Sequence, residues 1–267
     1  MEVIIRPTTE QAARLAARLI GDAIRAKPNL VLGLATGRTM ERVYAELVGL
    51  HQRERLDFSR VTTFNLDEYI GLTADHPHSY HSYMRQQLFA RVNLDPAHTH
   101  LPNGMAADLD AACVHYEKLI QQVGGVDLQL LGIGSDGHIG FNEPLSALRS
   151  RTRQKALTPA TLAQNAPFCG GDIAKMPRRA LTMGIGTILE ARQCLLLVTG
   201  SAKAEILAKA VEGPITAMVT ASALQLHPRC RVIVDEEAAA RLQGKDYYRW
   251  LFANEPEWMQ YRGNTQL

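Results

Sequence analysis

Long apolar runs, paired cysteines and a lopsided charge are all missing from this chain of 267 residues. No uninterrupted apolar stretch approaches the roughly 18 residues a membrane-spanning helix needs, so no membrane partner is expected. The opening MEVIIRPTTEQ lacks a basic flank followed by an apolar core, so export is not indicated and the expected location is cytoplasmic. Cys113, Cys169, Cys194 and Cys230 lie far apart with no CxxC among them. They read as free thiols in a reducing compartment, with neither a zinc site nor a disulfide frame indicated. The net charge of +2 is small and scattered, and nothing marks a nucleic-acid surface. Repeats and linkers are missing too. What remains is an ordinary globular composition, 46% hydrophobic and 21% charged, on a chain long enough to bury a large core.

Within that composition, short apolar runs alternate with helical periodicity. Glu2–Ile5 reads as an edge strand, and Leu30–Ala35, Val61–Phe64, Val126–Leu131, Ala180–Ile185, Cys194–Thr199 and Cys230–Asp235 as buried strands. Thr8 offers a helix cap with Gln11 three residues on, and Pro28 closes that helix. Further helices are expected through Val43–Val48, Ser79–Val92, Leu109–Gln122, Gly186–Glu190, Gly200–Val211, Thr220–Leu226 and Glu236–Leu242. The tail DYYRWLFANEPEW is amphipathic enough to lie on the domain or on a neighbouring subunit. Between Ser150 and Pro177 the rhythm breaks at Pro159, Pro167, Gly170 and Gly171, which suits a mobile lid. The pattern predicts a single α/β domain over residues 1–267: a doubly wound, mostly parallel, Rossmann-like three-layer sheet with a lid inserted at 150–177.

Chemistry concentrates after the run Val126–Leu131. Asp136, His138 and Glu143 fall within eight residues, among Gly132, Gly134, Gly137 and Gly140. A histidine beside carboxylates is held in one tautomer and becomes a proton donor and acceptor near neutrality. The same trio could equally be a salt-bridged turn. Gly132–Gly137 fits GxGxxG, but Gly140 and Pro144 stand where a helix should follow, and Arg151, Arg153 and Lys155 stand where a ribose-binding acid should. The dinucleotide match is incidental. Asp67, after Val61–Phe64, is either a cap or a second base facing the crevice. Thr36-Gly37-Arg38-Thr39 opens a helix directly after a strand, which suits a phosphate and also suits a plain tight turn. His76, His78 and His81 have no defensible metal spacing and read as a polar loop.

The segments LGLATGRT (32–39), FNLDEYIGL (64–72), LLGIGSDGHIGFNEP (130–144), ALTMGIGTI (180–188), GSAKA (200–204) and SALQLHP (222–228) resemble the isomerising glucosamine-6-phosphate deaminases, collinearly over nearly the whole chain. The resemblance implies hydrolytic deamination of D-glucosamine 6-phosphate to D-fructose 6-phosphate and ammonia, with a small-molecule partner and neither metal nor organic cofactor. It assigns ring opening to His138, tuned by Asp136 and Glu143, and the proton between C2 and C1 to Asp67. Thr36, Gly37, Arg38, Thr39 and Lys203 would face the phosphate. Two departures bear on substrate: TGRTM replaces the family's TGSTP or TGGTP, bringing in Arg38 and Met40, and Pro167 replaces the arginine of its N-x-R-F lid pattern. They leave open a related substrate, galactosamine 6-phosphate or a differently 6-substituted sugar. Some bacterial members are hexamers activated by an acetylated amino-sugar phosphate, so a homo-oligomer, hexamer or lower, is an expectation. Ser146, Arg153 and Lys155 match that effector site, while Ala156 replaces a threonine, and weak or absent activation is expected. The rivals are a 6-phosphogluconolactonase-like hydrolase and a non-catalytic sugar-phosphate sensor.

Overall fold

Two turns of the chain meet at the middle of a parallel sheet, and that meeting point determines where a ligand can sit. The computed structural model of the protein describes residues 1–169 and 171–262, without the side chains of Phe168 and Cys169. The expectations for Cys169 and Gly170 lie outside what is described; Cys113, Cys194 and Cys230 are buried free thiols.

The first half of the chain runs β1 (Glu2–Arg6), α1 (Thr9–Ala26), β2 (Val31–Leu34), α2 (Arg38–Glu54), β3 (Thr62–Asn65), β4 (Asp67–Tyr69), α3 (Tyr80–Gln87), β5 (Thr99–His100), α4 (Leu109–Gln122) and β6 (Leu128–Leu131). The second half runs β7 (Arg153–Ala156), α5 (Pro159–Asn165), β8 (Arg179–Thr182), α6 (Ile185–Leu189), β9 (Gln193–Val198), α7 (Ala204–Val211), β10 (Cys230–Asp235), α8 (Lys245–Asn254) and α9 (Met259–Arg262). Seven strands form the main sheet in the order β1-β10-β9-β6-β2-β3-β5. Every pairing in it is parallel. Such strands are buried on both faces, which is why β2, β6 and β9 read as nearly unbroken apolar runs. The helices flank this sheet, and the doubly wound α/β architecture is the one expected from the alternation. From β2 the chain winds outward through β3 and β5; from β6 it winds the other way through β9 and β10. Between β2 and β6 lies the switch point, where a crevice opens beyond the carboxyl ends of the strands.

Local chemistry sets the element boundaries. Thr8 caps α1, its side chain accepting from the Gln11 amide at 3.2 Å, and Ala12, Ala16, Leu19, Ile20 and Ile24 bury one face.

The structure departs from the sequence pattern in several places. The run at Ala180 is not a strand of the main sheet. It forms β8, central to a separate antiparallel sheet in the order β4-β8-β7. Apolar periodicity reports burial, not the partner, and β4 and β7 have three and four residues, too few to show a pattern. Helix α3 stops at Gln87 and gives way to a 3-10 turn at Phe89–Arg91. Ser201–Lys203, Thr220–Leu226 and Ala238–Arg241 are likewise 3-10 segments, the form short connectors often take. The 150–177 stretch holds β7, α5 and two 3-10 turns, and its Leu157, Leu162 and Met176 join Tyr69, Phe141 and Ala180 in a small second apolar cluster.

Candidate active site

A cleft of about 500 Å³ opens at the switch point. Its walls are the segment Ala35–Met40 after β2, Leu66, Asp67 and Tyr69 around β4, part of α3, the glycine-rich turn after β6, Gln164 and Asn165 of α5, and Ala202 and Lys203 after β9. Of the residues singled out in the sequence, Thr36, Gly37, Arg38, Thr39, Asp67, His138 and Lys203 line the cleft. Asp136 and Glu143 stand beside His138, outside the lining. Ser146, Arg153 and Lys155 are not among the walls. Arg153 instead donates to Asn142 Oδ1 at 2.9 Å, and Ser146 is buried with no hydrogen-bond partner for its hydroxyl among the described residues.

His138 is presented by a closed turn. The Gly134 amide donates to His138 O at 2.8 Å, the Gly137 amide to Gly134 O at 3.2 Å, and the His138 amide to Asp136 Oδ1 at 3.2 Å. The imidazole Nδ1 lies 2.6 Å from Asp136 Oδ1 and 3.6 Å from Glu143 Oε2, with the ring 7% exposed on its residue scale. The approach is close, but the ring N–H is not well aligned on either oxygen. Burial works to raise the Asp136 pKa, but His138 outweighs it and holds the carboxyl at about 2. Glu143 is also engaged away from the ring: Oε1 accepts from the Thr158 amide at 3.0 Å and Oε2 from its hydroxyl at 3.3 Å. Because Thr158 caps α5, the histidine's carboxylate partner is fastened to the 150–177 segment.

Asp67 has opposite electrostatics. It is 5% exposed, and burial, with a smaller push from the neighbouring Glu68 charge, raises its pKa from 3.8 to about 8. Tyr44, Tyr80 and Tyr116 each have a pKa shifted upward, chiefly by burial and in part by the Asp67 charge. Ser79 caps α3, and Glu68 holds the same end of the helix, accepting at Oε1 from the Tyr69 and Tyr80 amides (2.8 and 3.0 Å) and at Oε2 from the His81 amide and Nδ1 (3.0 and 2.8 Å). A carboxylate titrating high can act as a base once deprotonated. If it does, kcat/KM, which reports the free enzyme, rises with pH through a group near 8. Glu68→Gln removes the like charge, and the expected result is an acid limb moved to lower pH in a kcat/KM profile. An unmoved limb would exclude that coupling.

Lys203 completes the walls, half-buried on the turn after β9; burial lowers its pKa while the Asp136 charge opposes the shift. Across the cleft, α2 begins at Arg38 with Gly37 as its cap residue at φ 115° and no side-chain cap. An added Cβ at Gly37 meets nothing within 4 Å, so glycine is required there by backbone conformation and not by space.

Several site residues escape a linear reading. Tyr80 and Tyr83 on α3 line the cleft, and Asn165 Nδ2 donates to the Tyr69 hydroxyl at 3.2 Å. Gln164 Oε1 accepts from the Ser135 amide at 3.1 Å, joining α5 to the glycine-rich turn. Thr158 could have been found from its place before Pro159, a cap followed by proline at the first helical position. His76, His78 and His81 do not converge: His78 lines the cleft, His81 pairs with Glu68, and His76 Nδ1 accepts from the His78 amide. Among the described residues, Asp136, His138 and Glu143 form the one trio whose donor atoms all lie within 4.8 Å and could converge on a metal ion. Their 2.6 Å imidazole–carboxylate approach is shorter than the spacing of two ligands around one ion.

A cleft at the switch point of a doubly wound sheet, with a buried aspartate, a histidine, a helix N-terminus and a lysine on its walls, defines the class of protein as an α/β enzyme scaffold. More particularly, the chain belongs to the family of glucosamine-6-phosphate isomerases and 6-phosphogluconolactonases, whose model matches residues 6–233. It is 50% identical over 258 residues to a glucosamine-6-phosphate deaminase of Arthrobacter sp. (strain FB24), spanning 97% of this chain and 99% of that one. A glucosamine-6-phosphate deaminase of Hahella chejuensis is 51% identical over 251 residues, spanning 94% and 95%. Among solved structures, one described as a monomeric glucosamine-6-phosphate deaminase superposes with a TM-score of 0.88 at 47% identity, covering 90% of this chain and all of that one. A 6-phosphogluconolactonase from Trypanosoma cruzi shares the fold at 21% identity and a TM-score of 0.72.

Proposed function

We propose that this cleft converts an amino-sugar phosphate, D-glucosamine 6-phosphate, and water into D-fructose 6-phosphate and ammonia. The observation that carries the reading is that Asp67 and His138 open on one cleft in a chain about half identical, end to end, to glucosamine-6-phosphate deaminases.

His138, held against Asp136, shuttles the proton from the anomeric hydroxyl to the ring oxygen and so opens the pyranose. Asp67 then takes the proton from C2 and returns it to C1 through an enolamine. The resulting C2 imine adds water and releases ammonia. A base at a pKa of about 8 is mostly protonated in the free site at neutral pH. The substrate ammonium beside it would favour the carboxylate, placing the acid limb of kcat below that of kcat/KM. The 6-phosphate lies at the start of α2 with Arg38 and Lys203 as its cations, which leaves the exposed Pro167 without a phosphate to serve. Residues 150–177 are proposed as the lid, fastened through Thr158 and Gln164. Ser146, Arg153 and Lys155 are the effector positions assigned by resemblance; Ser146 is buried and Arg153 is turned to Asn142, and weak or absent activation is proposed.

Ammonia release tests the reading across glucosamine 6-phosphate, galactosamine 6-phosphate and unphosphorylated glucosamine, with and without N-acetylglucosamine 6-phosphate. Glucosamine 6-phosphate is expected to turn over fastest and the unphosphorylated sugar to be lost by orders of magnitude in kcat/KM, with little activation. Equal rates for the two glucosamines would remove the phosphate site. A strong leftward shift by the acetylated sugar would restore the effector one.

A further inference from the structure

Two tyrosine hydroxyls meet the backbone segment that begins the cleft. Tyr44, on α2 itself, donates to Ala35 O in a short buried bond. Tyr83 donates to Gly37 O at 2.9 Å, while the nearby Tyr80 donates to the Tyr69 hydroxyl at 3.3 Å. Tyr80 and Tyr83 sit three apart on α3, hence on one face, and their rings pack in a T-shape 6.4 Å apart, as do those of Tyr83 and Tyr44. Glu68 holds the start of that helix through the Tyr80 and His81 amides.

A peptide unit is planar and trans, so its C=O and its N–H point in opposite directions. Fixing Ala35 O therefore fixes the direction of the Thr36 N–H, and fixing Gly37 O fixes that of the Arg38 N–H. A carbonyl free to rotate toward a bound anion would repel it; one already accepting a hydroxyl is held where it is. Gly37 is the residue most in need of such a hold, since its φ of 115° has no side chain to restrain it; its carbonyl accepts from the Met40 amide at 2.9 Å, and the Tyr83 hydroxyl is a second donor fixing the same oxygen.

We infer that Tyr83 is a positioning residue for anion binding, orienting the Gly37–Arg38 peptide so that the start of α2 accepts the phosphate group of the substrate. The inference rests on the segment being the phosphate site and goes further by naming what holds it. Tyr83 touches the peptide and not the reacting carbons, so its effect falls on affinity and leaves the chemical step alone. Burial, with help from Glu41, raises the Tyr83 pKa, so the hydroxyl remains a donor across the working range.

Tyr83→Phe keeps the ring packing and deletes only the donor. Inorganic phosphate is the probe, measured as a competitive inhibitor of ammonia release. In Tyr83→Phe the phosphate inhibition constant and the KM for glucosamine 6-phosphate are expected to rise together, about 5- to 10-fold, corresponding to one lost hydrogen bond to a fixed carbonyl, with kcat within about twofold of the parent. Tyr116→Phe removes a comparable hydroxyl bond, from Asn65 O at 2.7 Å, and is expected to leave phosphate inhibition unchanged. An unchanged inhibition constant in Tyr83→Phe, or an equal rise in Tyr116→Phe, overturns the inference. Failure of phosphate to compete in the parent enzyme instead overturns the phosphate site beneath it.

Discussion

Asp67→Asn is expected to lose turnover by about 10²- to 10⁴-fold, the range for removing a proton-transfer base, while still binding the sugar phosphate. The same change is expected to make the protein more stable above pH 8. The carboxyl binds its proton more tightly folded, at about 8, than at its ordinary value of 3.8. Between those values the native state holds the extra proton, so stability from this group is complete below about pH 4 and is lost as pH rises through 8. By linkage the charged form costs the fold ~6 kcal/mol at most. Asparagine removes the titration. Melting curves at pH 9 should therefore place Asp67→Asn above the parent by several degrees, and the gap should narrow toward pH 5. A variant that keeps most of its activity would show that Asp67 has been given the wrong role. A variant that loses activity but melts lower at pH 9 would show that its burial is compensated elsewhere.

Gly134→Ala is the second large effect. An added Cβ would sit 2.5 Å from both ring nitrogens of His138, well inside contact distance. The backbone at Gly134 is outside the left-handed region, so alanine fits the chain and the cost falls on the imidazole. Either the ring leaves its place beside Asp136 or the turn closed by the Gly134 amide opens. Displacement of a catalytic group by about 1 Å costs on the order of 10²-fold, and overpacking costs ~1–3 kcal/mol. Steady-state kinetics should show the loss in kcat with KM nearly unchanged. A near-normal kcat would mean that the ring moves freely and that the turn does not aim it.

Much of this site is legible in the sequence because its chemistry is local. Asp136, His138 and Glu143 are close in the chain as well as in space, and one glycine-rich turn delivers them. The parallel sheet is legible for a related reason, since strands buried on both faces leave continuous apolar runs. Asp67 stands out in the sequence as a candidate, but its setting does not. Its strand has three residues, and its partner β8 comes from more than a hundred residues downstream. Tyr80, Tyr83, Glu68 and Thr158 act through backbone groups of distant segments, and no spacing rule records a hydroxyl aimed at a carbonyl across a tertiary gap. Ser146, Arg153 and Lys155 were grouped by resemblance alone, and they stand outside the walls of the cleft.

One residue separates the parallel sheet from the antiparallel one. The Leu66 amide donates to Leu34 O at 3.0 Å, and its carbonyl accepts from the Met183 amide at 2.6 Å, so the two sheets are stitched together through a single peptide segment with Asp67 next in line. A carboxylate delivered this way is held in place by both sheets at once. The same arrangement forbids insertion, because one extra residue at the seam would turn the carboxylate to the opposite face of its strand. Chemistry at this position can therefore diversify by substitution and not by changes in length.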